Sequence, residues 1–566
     1  MRKYGLKSRQ FQRLELIARR TAAPCGSIKI KEGQSLRGEY YFKYQGFEAC
    51  ALELSENREY EVEISGLEIS LAYLCGQERI LEEGVTFLEF GETGITERGR
   101  MEMAGVYGGA FRNQYHFAPY KNWMNDPNGL CWFGGCYHLF YQYNPNGFEW
   151  GNMHWGHAVS RDLVHWVHLP VVAWPQIELL DNPEFRGGAF SGSAVVEDGR
   201  LHLFYTRHFG RTDRSWQRQW QVTARSDDGV HFSQEETAIW GTPEGVFYDF
   251  RDPKVERIEG AWHMVLGGTA YGRPAVLHYQ SEDLKSWRYM GVLLEEKDPL
   301  YGISECPDLY RLGDRYVLTV GYMFADKGKT GQRRDTKYYI GEIRDGRFVV
   351  EAEGIYDFGK DFYAVQSFEH EGRRISIGWN CGQEAAWEEG GSNGTMSIPR
   401  QMRLEGGRLC MTPVEEIGRL EGEAIPYARK VYGYEALTDG EYHMALKAAD
   451  GLEGSFVLAQ SDSRKVLLEI AGRRITLNTG NESDLCTFET DEAVVELEIY
   501  VDRALVELFV NGGRYTCTRR YFMPERDRRI CWRCVEGVGA EAVALTALRG
   551  IFEWKGEGCD ECQEKA

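Results

Sequence analysis

Asp126 stands at the centre of the stretch of sequence with the strongest chemical character. It lies in the run Asn-Asp-Pro-Asn-Gly, which on its own is typical of a hairpin turn, because proline presets φ and Asn-Gly tolerates positive φ. The surrounding aromatic residues are Trp123, Trp132, Tyr141, Tyr143, Trp150 and Trp155. Aromatic faces beside a few polar groups are typical of sites that bind sugars. The sequence therefore predicts a carboxylate in a sugar-binding pocket, with a plain turn as the alternative.

Two further carboxylates stand at the starts of predicted strands. Asp252 lies in Arg-Asp-Pro after an aromatic run, and Glu305 lies in Ser-Glu-Cys-Pro-Asp. Taken singly, each motif is more often a surface turn than a site. Together with Asp126 they supply what cleavage of a glycosidic bond needs. One carboxyl group attacks the sugar or activates water, another protonates the leaving oxygen, and charge developing on the ring is stabilised.

These three motifs, in this order, resemble those of the β-fructosidases of glycoside hydrolase family 32, which include invertases, inulinases, levanases and sucrose-6-phosphate hydrolases. The resemblance covers about residues 116 to 555. It implies that Asp126 is the nucleophile, that Asp252 stabilises the transition state and that Glu305 is the general acid/base. It also implies that Arg251 keeps Asp252 ionised and donates to hydroxyl groups of a fructosyl unit.

The resemblance further implies a set of substrate-binding residues spread over the same region. Some lie in shared motifs such as Phe190-Ser191-Gly192-Ser193, whereas lone aromatic residues are as readily part of a core. The expected binding residues are Trp123, Asn125, Gln142, Trp150, Phe190, Ser191, Arg251, Tyr363 and Trp379. Two segments depart from the family pattern, Arg207–Arg218 and Glu388–Ser392, and they leave the leaving-group subsite undefined.

An all-β scaffold must position these residues, because residues 113–413 show short strands, turn signals and almost no helical periodicity. Strand pairs joined by glycine turns recur, as in Gly192–Glu197 with Leu201–Tyr205. This recurring pattern of strands and turns is typical of four-stranded meanders, but by itself it does not distinguish a propeller from a sandwich. The resemblance implies a five-bladed β-propeller, in which the three carboxylates lie on different blades and meet near the axis.

The flanking sequences predict two further units and a tail. Residues 1–112 contain short alternating strands typical of a β-sandwich, for which packing, accessory sugar binding, oligomer contact and a lid are all open roles. Residues 424–555 alternate again, and the run that begins at Asp502 resembles a signature of the family's C-terminal β-sandwich. Residues 556–566 are charged and are expected to be a disordered tail.

The composition excludes several classes of partner. The chain has 566 residues and a net charge of −20, which argues against nucleic acid and against an anionic membrane. It contains no apolar run of transmembrane length, and its basic N-terminus lacks the apolar segment of a secretory signal. The expected chemistry requires neither a metal nor an organic cofactor. The expected partner is a small sugar, and the oligomeric state stays open, a homo-oligomer included.

The cysteines indicate the compartment. Fourteen cysteines without a secretory signal fit a reducing cytoplasm, which is the expected location. Two C-x-x-C pairs, Cys531/Cys534 and Cys559/Cys562, have a spacing compatible with zinc. The first pair lies in a strand-like run, where residues i and i+3 point to opposite faces, so free thiols are the alternative.

The sequence predicts a retaining β-fructosidase that hydrolyses terminal β-fructofuranosyl bonds of sucrose or short fructo-oligosaccharides. A sucrose-6-phosphate hydrolase and a fructosyltransferase share the same carboxylates and stay open as alternatives. A non-catalytic sugar-binding propeller and a glycosidase acting on arabinose or xylose are disfavoured, because all three motifs are present. Four arginines of the unusual segment predict a site for a phosphate on the glucosyl unit, with a solvated loop as the alternative; they are Arg207, Arg211, Arg214 and Arg218.

Overall fold

The structure is a computed structural model. It describes residues 1–22, 24–247, 249–325, 334–381, 391–480, 485–523, 527–534 and 542–552. The expected tail, Cys559, Cys562 and most of the segment Glu388–Ser392 lie outside these residues. Regular structure in the described ranges is almost entirely β. The helical turns are α1 (Ile80–Glu83), α2 (Met103–Val106) and the 3-10 turns Arg100–Glu102, Ile177–Leu179 and Glu415–Leu420.

The N-terminal unit is a sandwich of two antiparallel sheets. Its strands are β1 (Arg2–Lys7), β2 (Arg13–Arg20), β3 (Gly26–Glu32), β4 (Ser35–Phe42), β5 (Glu48–Glu53), β6 (Glu59–Ser65), β7 (Leu67–Cys75), β8 (Thr86–Phe90) and β9 (Ile95–Arg98). One sheet has the order β1-β6-β3-β4 and the other β5-β2-β7-β8-β9. Alternate apolar residues such as Leu14, Ile28 and Val62 face inward and form a core of their own. The predicted sandwich is confirmed in this segment.

The central unit consists of five sheets around one axis. Its strands are β10 (Asn122–Phe133), β11 (Cys136–Asn144), β12 (His154–Ser160), β13 (Trp166–Ala173), β14 (Phe185–Glu197), β15 (Arg200–Arg211), β16 (Gln217–Ser226), β17 (Glu236–Ile239), β18 (Phe250–Ile258), β19 (Ala261–Ala270), β20 (Arg273–Ser281), β21 (Arg288–Glu295), β22 (Tyr301–Leu312), β23 (Arg315–Phe324), β24 (Arg334–Arg344), β25 (Arg347–Ile355), β26 (Phe362–His370), β27 (Arg373–Asn380), β28 (Ser392–Asn393), β29 (Thr395–Met396), β30 (Arg400–Glu405) and β31 (Arg408–Pro413).

The ring of blades is closed by its inner strands. The first strand of each sheet is innermost, and β10, β14, β18, β22 and β26 each contact the next around the axis, with β26 returning to β10. Short β28, which follows the second strand of the last blade, pairs in parallel with β10 of the first blade. The predicted five-bladed propeller is therefore confirmed.

The C-terminal unit is a second sandwich. Its strands are β32 (Glu421–Ala424), β33 (Tyr427–Lys430), β34 (Gly433–Leu437), β35 (Tyr442–Lys447), β36 (Gly454–Gln460), β37 (Lys465–Ala471), β38 (Arg474–Asn478), β39 (Leu485–Glu489), β40 (Glu496–Val501), β41 (Leu505–Val510), β42 (Tyr515–Arg520), β43 (Arg529–Cys534) and β44 (Ala542–Leu548). The sheet orders are β32-β44-β35-β40-β41-β42 and β33-β34-β43-β36-β37-β38-β39. Leu468, Leu497 and Leu508 belong to the core between the sheets.

The N-terminal sandwich is packed against the first blade. The ring of Phe87 stacks on Tyr120 at 3.8 Å between ring centres, and the amide of Val85 donates to the carbonyl of His168 at 2.9 Å. Ile17 shares one buried apolar cluster with blade residues. In the part of the chain that the structure describes, no helix is long and apolar enough to cross a membrane.

A buried ionic network joins the propeller to the C-terminal sandwich. The Nδ1 of His116 lies 2.8 Å from Asp502, and its Nε2 lies 3.1 Å from Glu507. Arg400 donates to Glu507 at 2.7 Å and to Asp357 at 2.9 Å. Burial alone would lower the pKa of His116, but its hydrogen bonds to Asp502 and Glu507 outweigh burial and raise the pKa to about 9.

We expect the protein to lose stability as the pH rises through about 9, because His116 then loses its proton. Its folded-state pKa lies above the ordinary 6.5, so the stabilisation is fully present below about pH 6.5 and disappears above the raised pKa. The contribution is on the order of 3 kcal/mol. Urea unfolding at about pH 6 and about pH 10 measures it. A His116→Gln variant with the same pH dependence as the wild type would contradict this assignment.

Candidate active site

All five inner strands carry a bulge near their first residues. The register shifts fall between Met124 and Pro127, Ala189 and Gly192, Arg251 and Lys254, Glu305 and Asp308, and Tyr363 and Gln366. A bulge leaves residues unpaired and redirects their side chains. In three of the bulges a non-glycine residue has positive φ: Asp252 at 62°, Cys306 at 46° and Ala364 at 53°. Equivalent bulges on adjacent blades therefore direct polar side chains into one pocket at the end of the axis.

Two short hydrogen bonds, from Ser191 and Asn125, hold Asp126 in this pocket. Ser191 donates its hydroxyl to Oδ2 at 2.5 Å, and Asn125 donates its amide to Oδ1 at 3.0 Å. The indole of Trp123 donates to Asn125 at 2.7 Å, and Gln142 donates to Ser191 at 3.0 Å, so both donors are themselves positioned. Burial raises the pKa of Asp126, and the hydrogen bonds from Ser191 and Asn125 oppose that rise.

Glu305 is held by two donors, one on each carboxylate oxygen. Nη2 of Arg251 donates to Oε1 at 2.6 Å, and the hydroxyl of Tyr363 donates to Oε2 at 2.9 Å. Nη1 of Arg251 donates to Asp249, which holds the guanidinium from its other side. The charge-assisted pair gives Glu305 a single orientation toward the pocket.

Asp252 accepts a hydrogen bond from the backbone amide of Cys306 at 3.0 Å, whereas Nε of Arg251 lies 3.9 Å away. The pKa of Asp252 is raised to about 7, because burial and the neighbouring carboxylates Glu305 and Asp126 raise it by more than Arg251 and the amide of Cys306 lower it. Arg251 therefore lowers the pKa of Asp252, in the predicted direction, but burial and the neighbouring carboxylates outweigh its effect. The guanidinium makes its short contacts with Asp249 and Glu305 instead.

The thiol of Cys306 lies between the carboxylates of Asp126 and Asp252. Its Sγ is 3.5 Å from Oδ2 of Asp126 and 3.6 Å from Oδ2 of Asp252. Arg251 links Glu305 to the same group of residues. Carboxylates from the first, third and fourth blades thus surround one small volume, although they are far apart in the chain.

Aromatic rings form the wall of the pocket. Trp150 meets Phe190 edge to face at 5.7 Å, and Trp123 meets Trp379 in the same manner at 5.6 Å. Trp150 is 37% exposed, which places it at the mouth, whereas Trp379 is buried. Tyr363 contacts Glu305 directly. The structure therefore brings all nine expected binding residues to the neighbourhood of the three carboxylates.

Three residues of the pocket have no motif that identifies them in the sequence. His208 stacks on Phe190 at 4.3 Å, and the guanidinium of Arg334 lies 5.1 Å from the ring centres of both Tyr363 and Trp379. Asp249 binds Arg251. Of these three residues, only Asp249 could be found from the sequence. It stands two residues before Arg251, and residues i and i+2 of a strand share a face.

Comparisons with known proteins identify the family. The description "Glycosyl hydrolases family 32 N-terminal domain" matches residues 116–413, and "Glycosyl hydrolases family 32 C terminal" matches residues 456–545. The chain belongs to glycosyl hydrolase family 32. It is 32% identical to a sucrose-6-phosphate hydrolase of Escherichia coli over 461 residues, which are 76% of this chain and 93% of the relative. A levanase of Bacillus subtilis is 30% identical and covers 79% of this chain and 72% of its own length.

Solved family 32 structures share the fold. The glycoside hydrolase family 32 structure from Bifidobacterium adolescentis has a TM-score of 0.88 at 27% identity and covers 98% of this chain and 100% of its own. The N-terminal sandwich therefore has a counterpart in that protein. A mutant β-fructofuranosidase of Bombyx mori in complex with sucrose has a TM-score of 0.69 at 26% identity and covers 80% of this chain and 97% of its own.

The arginines of the unusual segment are distributed over one hairpin of this family 32 propeller. Arg207, Arg211 and Arg218 lie on the face of β15 and β16 opposite to His208, which faces the pocket. Arg207 is buried and donates to Glu235 through Nε and Nη2, with a shortest distance of 2.6 Å. Arg207 is therefore paired on the face away from the pocket, and the phosphate role of the four arginines stays a prediction.

We expect Ser191→Ala to move the acid limb of kcat/KM on sucrose to higher pH by about one unit. Ser191 lowers the pKa of Asp126 by donating to its carboxylate, and a carboxylate nucleophile is active only when ionised. Activity is lost as the pH falls through that pKa, so a higher pKa shifts the loss upward. A pH profile of kcat/KM measures the shift. A uniform loss of activity at every pH would show that Ser191 acts only by binding the sugar.

Proposed function

We propose that this family 32 enzyme is a retaining β-fructosidase that releases fructose from sucrose and short fructo-oligosaccharides. The observation that carries the proposal is the convergence of Asp126, Asp252 and Glu305 on one aromatic-lined pocket. The pocket offers acceptors and donors suited to sugar hydroxyl groups and rings suited to the apolar face of a sugar.

In the first step, Asp126 attacks the anomeric carbon of the fructosyl unit as its bond to the leaving oxygen breaks. Glu305 gives its proton to that oxygen, so glucose or a shortened oligosaccharide departs as a neutral alcohol. The product on the protein is a fructosyl ester of Asp126. Asn125 and Ser191 hold the attacking carboxylate in position throughout.

In the second step, water replaces Asp126 at the same carbon. Glu305, now ionised, takes a proton from that water, and the ester bond to Asp126 breaks to release fructose. Two displacements give net retention of configuration. Arg251 and Tyr363 both donate to Glu305 and hold its carboxyl group in position during this step.

Asp252 stabilises charge on the fructosyl ring rather than reacting with it. Its Oδ2 is held by the amide of Cys306, and the remaining acceptor positions are available to ring hydroxyl groups. In its ionised form it favours the positive charge that develops on the ring in the transition state. Because the pKa of Asp252 is raised to about 7, its contribution grows as the pH rises through neutrality.

We propose an unphosphorylated substrate. The relatives include proteins named sucrose-6-phosphate hydrolase and others named raffinose invertase and levanase. Arg207 is paired with Glu235, and Arg211 is paired with Glu184 at 3.3 Å on the same face, away from the pocket. This placement supports sucrose over sucrose 6-phosphate.

A substrate panel tests the proposal. We expect kcat/KM on sucrose to be at least equal to that on sucrose 6-phosphate, and we expect NMR of the first product to show β-fructofuranose, as retention requires. A strong preference for the phosphorylated sugar would overturn the choice of substrate. First release of α-fructofuranose would overturn the mechanism. Product analysis at high sucrose separates hydrolysis from fructosyl transfer, since a transferase accumulates trisaccharide.

We propose a cytoplasmic location, which the cysteines support. The sequence has fourteen, and the twelve within the described residues are free thiols, most of them buried. Cys531 and Cys534 of the first C-x-x-C pair are half-buried in β43, and the partner pair lies outside the described residues.

A further inference from the structure

The β15–β16 hairpin of the second blade separates two surfaces. On one face His208 stacks on Phe190 and belongs to the wall of the catalytic pocket. On the other face Arg207 pairs across the strands with Trp220, and Phe209 with Arg218. Directly opposed residues of antiparallel strands share a face, so the second surface is distinct from the pocket although the same hairpin forms both.

A cleft of about 790 Å³ lies on this second face. One wall is the outer face of the second blade, with Tyr205 and Arg207, and another is the segment that ends β13, with Trp174. The N-terminal sandwich supplies the third wall through Arg13 and Glu53. This volume is in the range of sites that hold a small molecule or a few sugar units.

The arginines in the cleft are paired with carboxylates, which outnumber them by three to two. Arg13 lies 3.0 Å from Glu53 and 3.4 Å from Glu15, and Arg207 lies 2.6 Å from Glu235. Each guanidinium therefore has a carboxylate partner within the cleft, and the charge pattern does not select an anion. The hydrogen-bonding groups that line the cleft suit a neutral ligand with many hydroxyl groups.

Of three exposed tryptophans in this region, Trp174 lines the cleft, whereas Trp216 and Trp240 lie outside its lining and close to Arg218 of the hairpin. Trp174 is 38% exposed, Trp216 is 43% exposed and Trp240 is 63% exposed. Arg218 lies 5.8 Å from the ring centre of Trp216 and 5.3 Å from that of Trp240, and Trp220 meets Trp240 at 5.6 Å. Large rings of this kind, held in place by neighbours and left open on one face, offer stacking surfaces beside hydrogen-bonding groups.

We propose that this cleft is a second carbohydrate-binding site that holds a distal part of a neutral fructan chain. The inference rests on the proposed function and extends its substrate from short fructo-oligosaccharides to a longer fructan chain. The hairpin turn at residues 211–216 separates the two surfaces, so a chain that passes over it contacts both. Trp174, Trp216 and Trp240 stack on fructosyl units, and the paired carboxylates and guanidinium groups accept and donate to their hydroxyl groups.

The test compares polymer with sucrose in Trp174→Ala and Trp216→Ala variants of the full chain. We expect kcat/KM on long-chain levan or inulin to fall about fivefold to tenfold, while kcat/KM on sucrose stays at the wild-type value. Tyr432→Ala is the matched control, because Tyr432 is 81% exposed on the C-terminal sandwich and should change neither value. Equal activity of the tryptophan variants and the wild type on the polymer would overturn the proposal.

Binding is measured separately from turnover. In an Asp126→Ala background, affinity electrophoresis in gels containing levan or inulin should show retardation that Trp216→Ala weakens. This measurement distinguishes failure of the second site from failure of the proposed hydrolysis, because it needs no reaction. Retardation that is unchanged by both tryptophan substitutions would place polymer binding elsewhere and contradict the proposal. Trp216 lies at the exposed hairpin turn, where substitution disturbs folding less. The Trp216→Ala variant therefore still tests the proposal if Trp174→Ala folds poorly.

Discussion

Replacing Asp126 with alanine is expected to lower kcat on sucrose by at least about 10⁴-fold, because no fructosyl ester can form. The loss should be of similar size on every fructosyl donor, since each must pass through the same intermediate. Folding should survive the change, because burial raises the pKa of this carboxyl group and so penalises its charged form. Initial-rate measurements on sucrose and on an activated donor check the expectation.

The matched control for this variant is Asp198→Asn. Asp198 is exposed at the opposite end of the second blade and has a φ of 51°, a conformation that asparagine also adopts. It should retain wild-type kcat. An Asp126→Ala protein that unfolds at the wild-type temperature and keeps more than about one tenth of wild-type kcat would exclude Asp126 as nucleophile.

Replacing Glu305 with alanine is expected to separate donors by their leaving groups. On sucrose, kcat should fall by about 10³-fold or more, because the glucosyl oxygen departs without a proton. On fructosyl fluoride the first step needs no acid, so the ester of Asp126 should form readily and accumulate. The second step then becomes limiting, because no group removes a proton from water.

Added azide tests the role of Glu305 in the second step, because azide is an anion that attacks the fructosyl ester without a general base. We expect azide to accelerate turnover of fructosyl fluoride by the Glu305→Ala variant and to yield β-fructosyl azide. Equal losses on sucrose and fructosyl fluoride, with no fructosyl azide, would remove Glu305 from the acid/base role. The carboxylate to test next would be Asp308, which is buried and accepts from the amide of Ser367 at 2.6 Å.

The positions of the three carboxylates were predictable because each lies in a local motif, and the family resemblance supplied the propeller that unites them. Their interactions were less predictable. Arg251 and Asp252 are neighbours in the chain, and their ion pair is long, with Nε of Arg251 3.9 Å from Asp252. The shorter contacts of Arg251 are with Asp249, two residues away, and with Glu305 on the next blade.

Strand alternation determines where the arginines of the unusual segment lie. The arginines near Arg207 form a basic cluster in the sequence, but β15 places Arg207 on the face opposite to His208. The pairing of His116 with Asp502 and Glu507 joins residues almost four hundred positions apart, and no local sequence pattern predicts it.

The most direct test of the central claim is to trap the covalent intermediate. The Glu305→Ala variant is mixed with fructosyl fluoride, quenched in acid and digested, and the peptides are analysed by mass spectrometry. We predict a peptide heavier by one fructosyl residue, with fragmentation that places the added mass on Asp126. An added mass on Asp252 or on another residue, or an unmodified protein that still releases fluoride in a burst, would contradict a double displacement through Asp126.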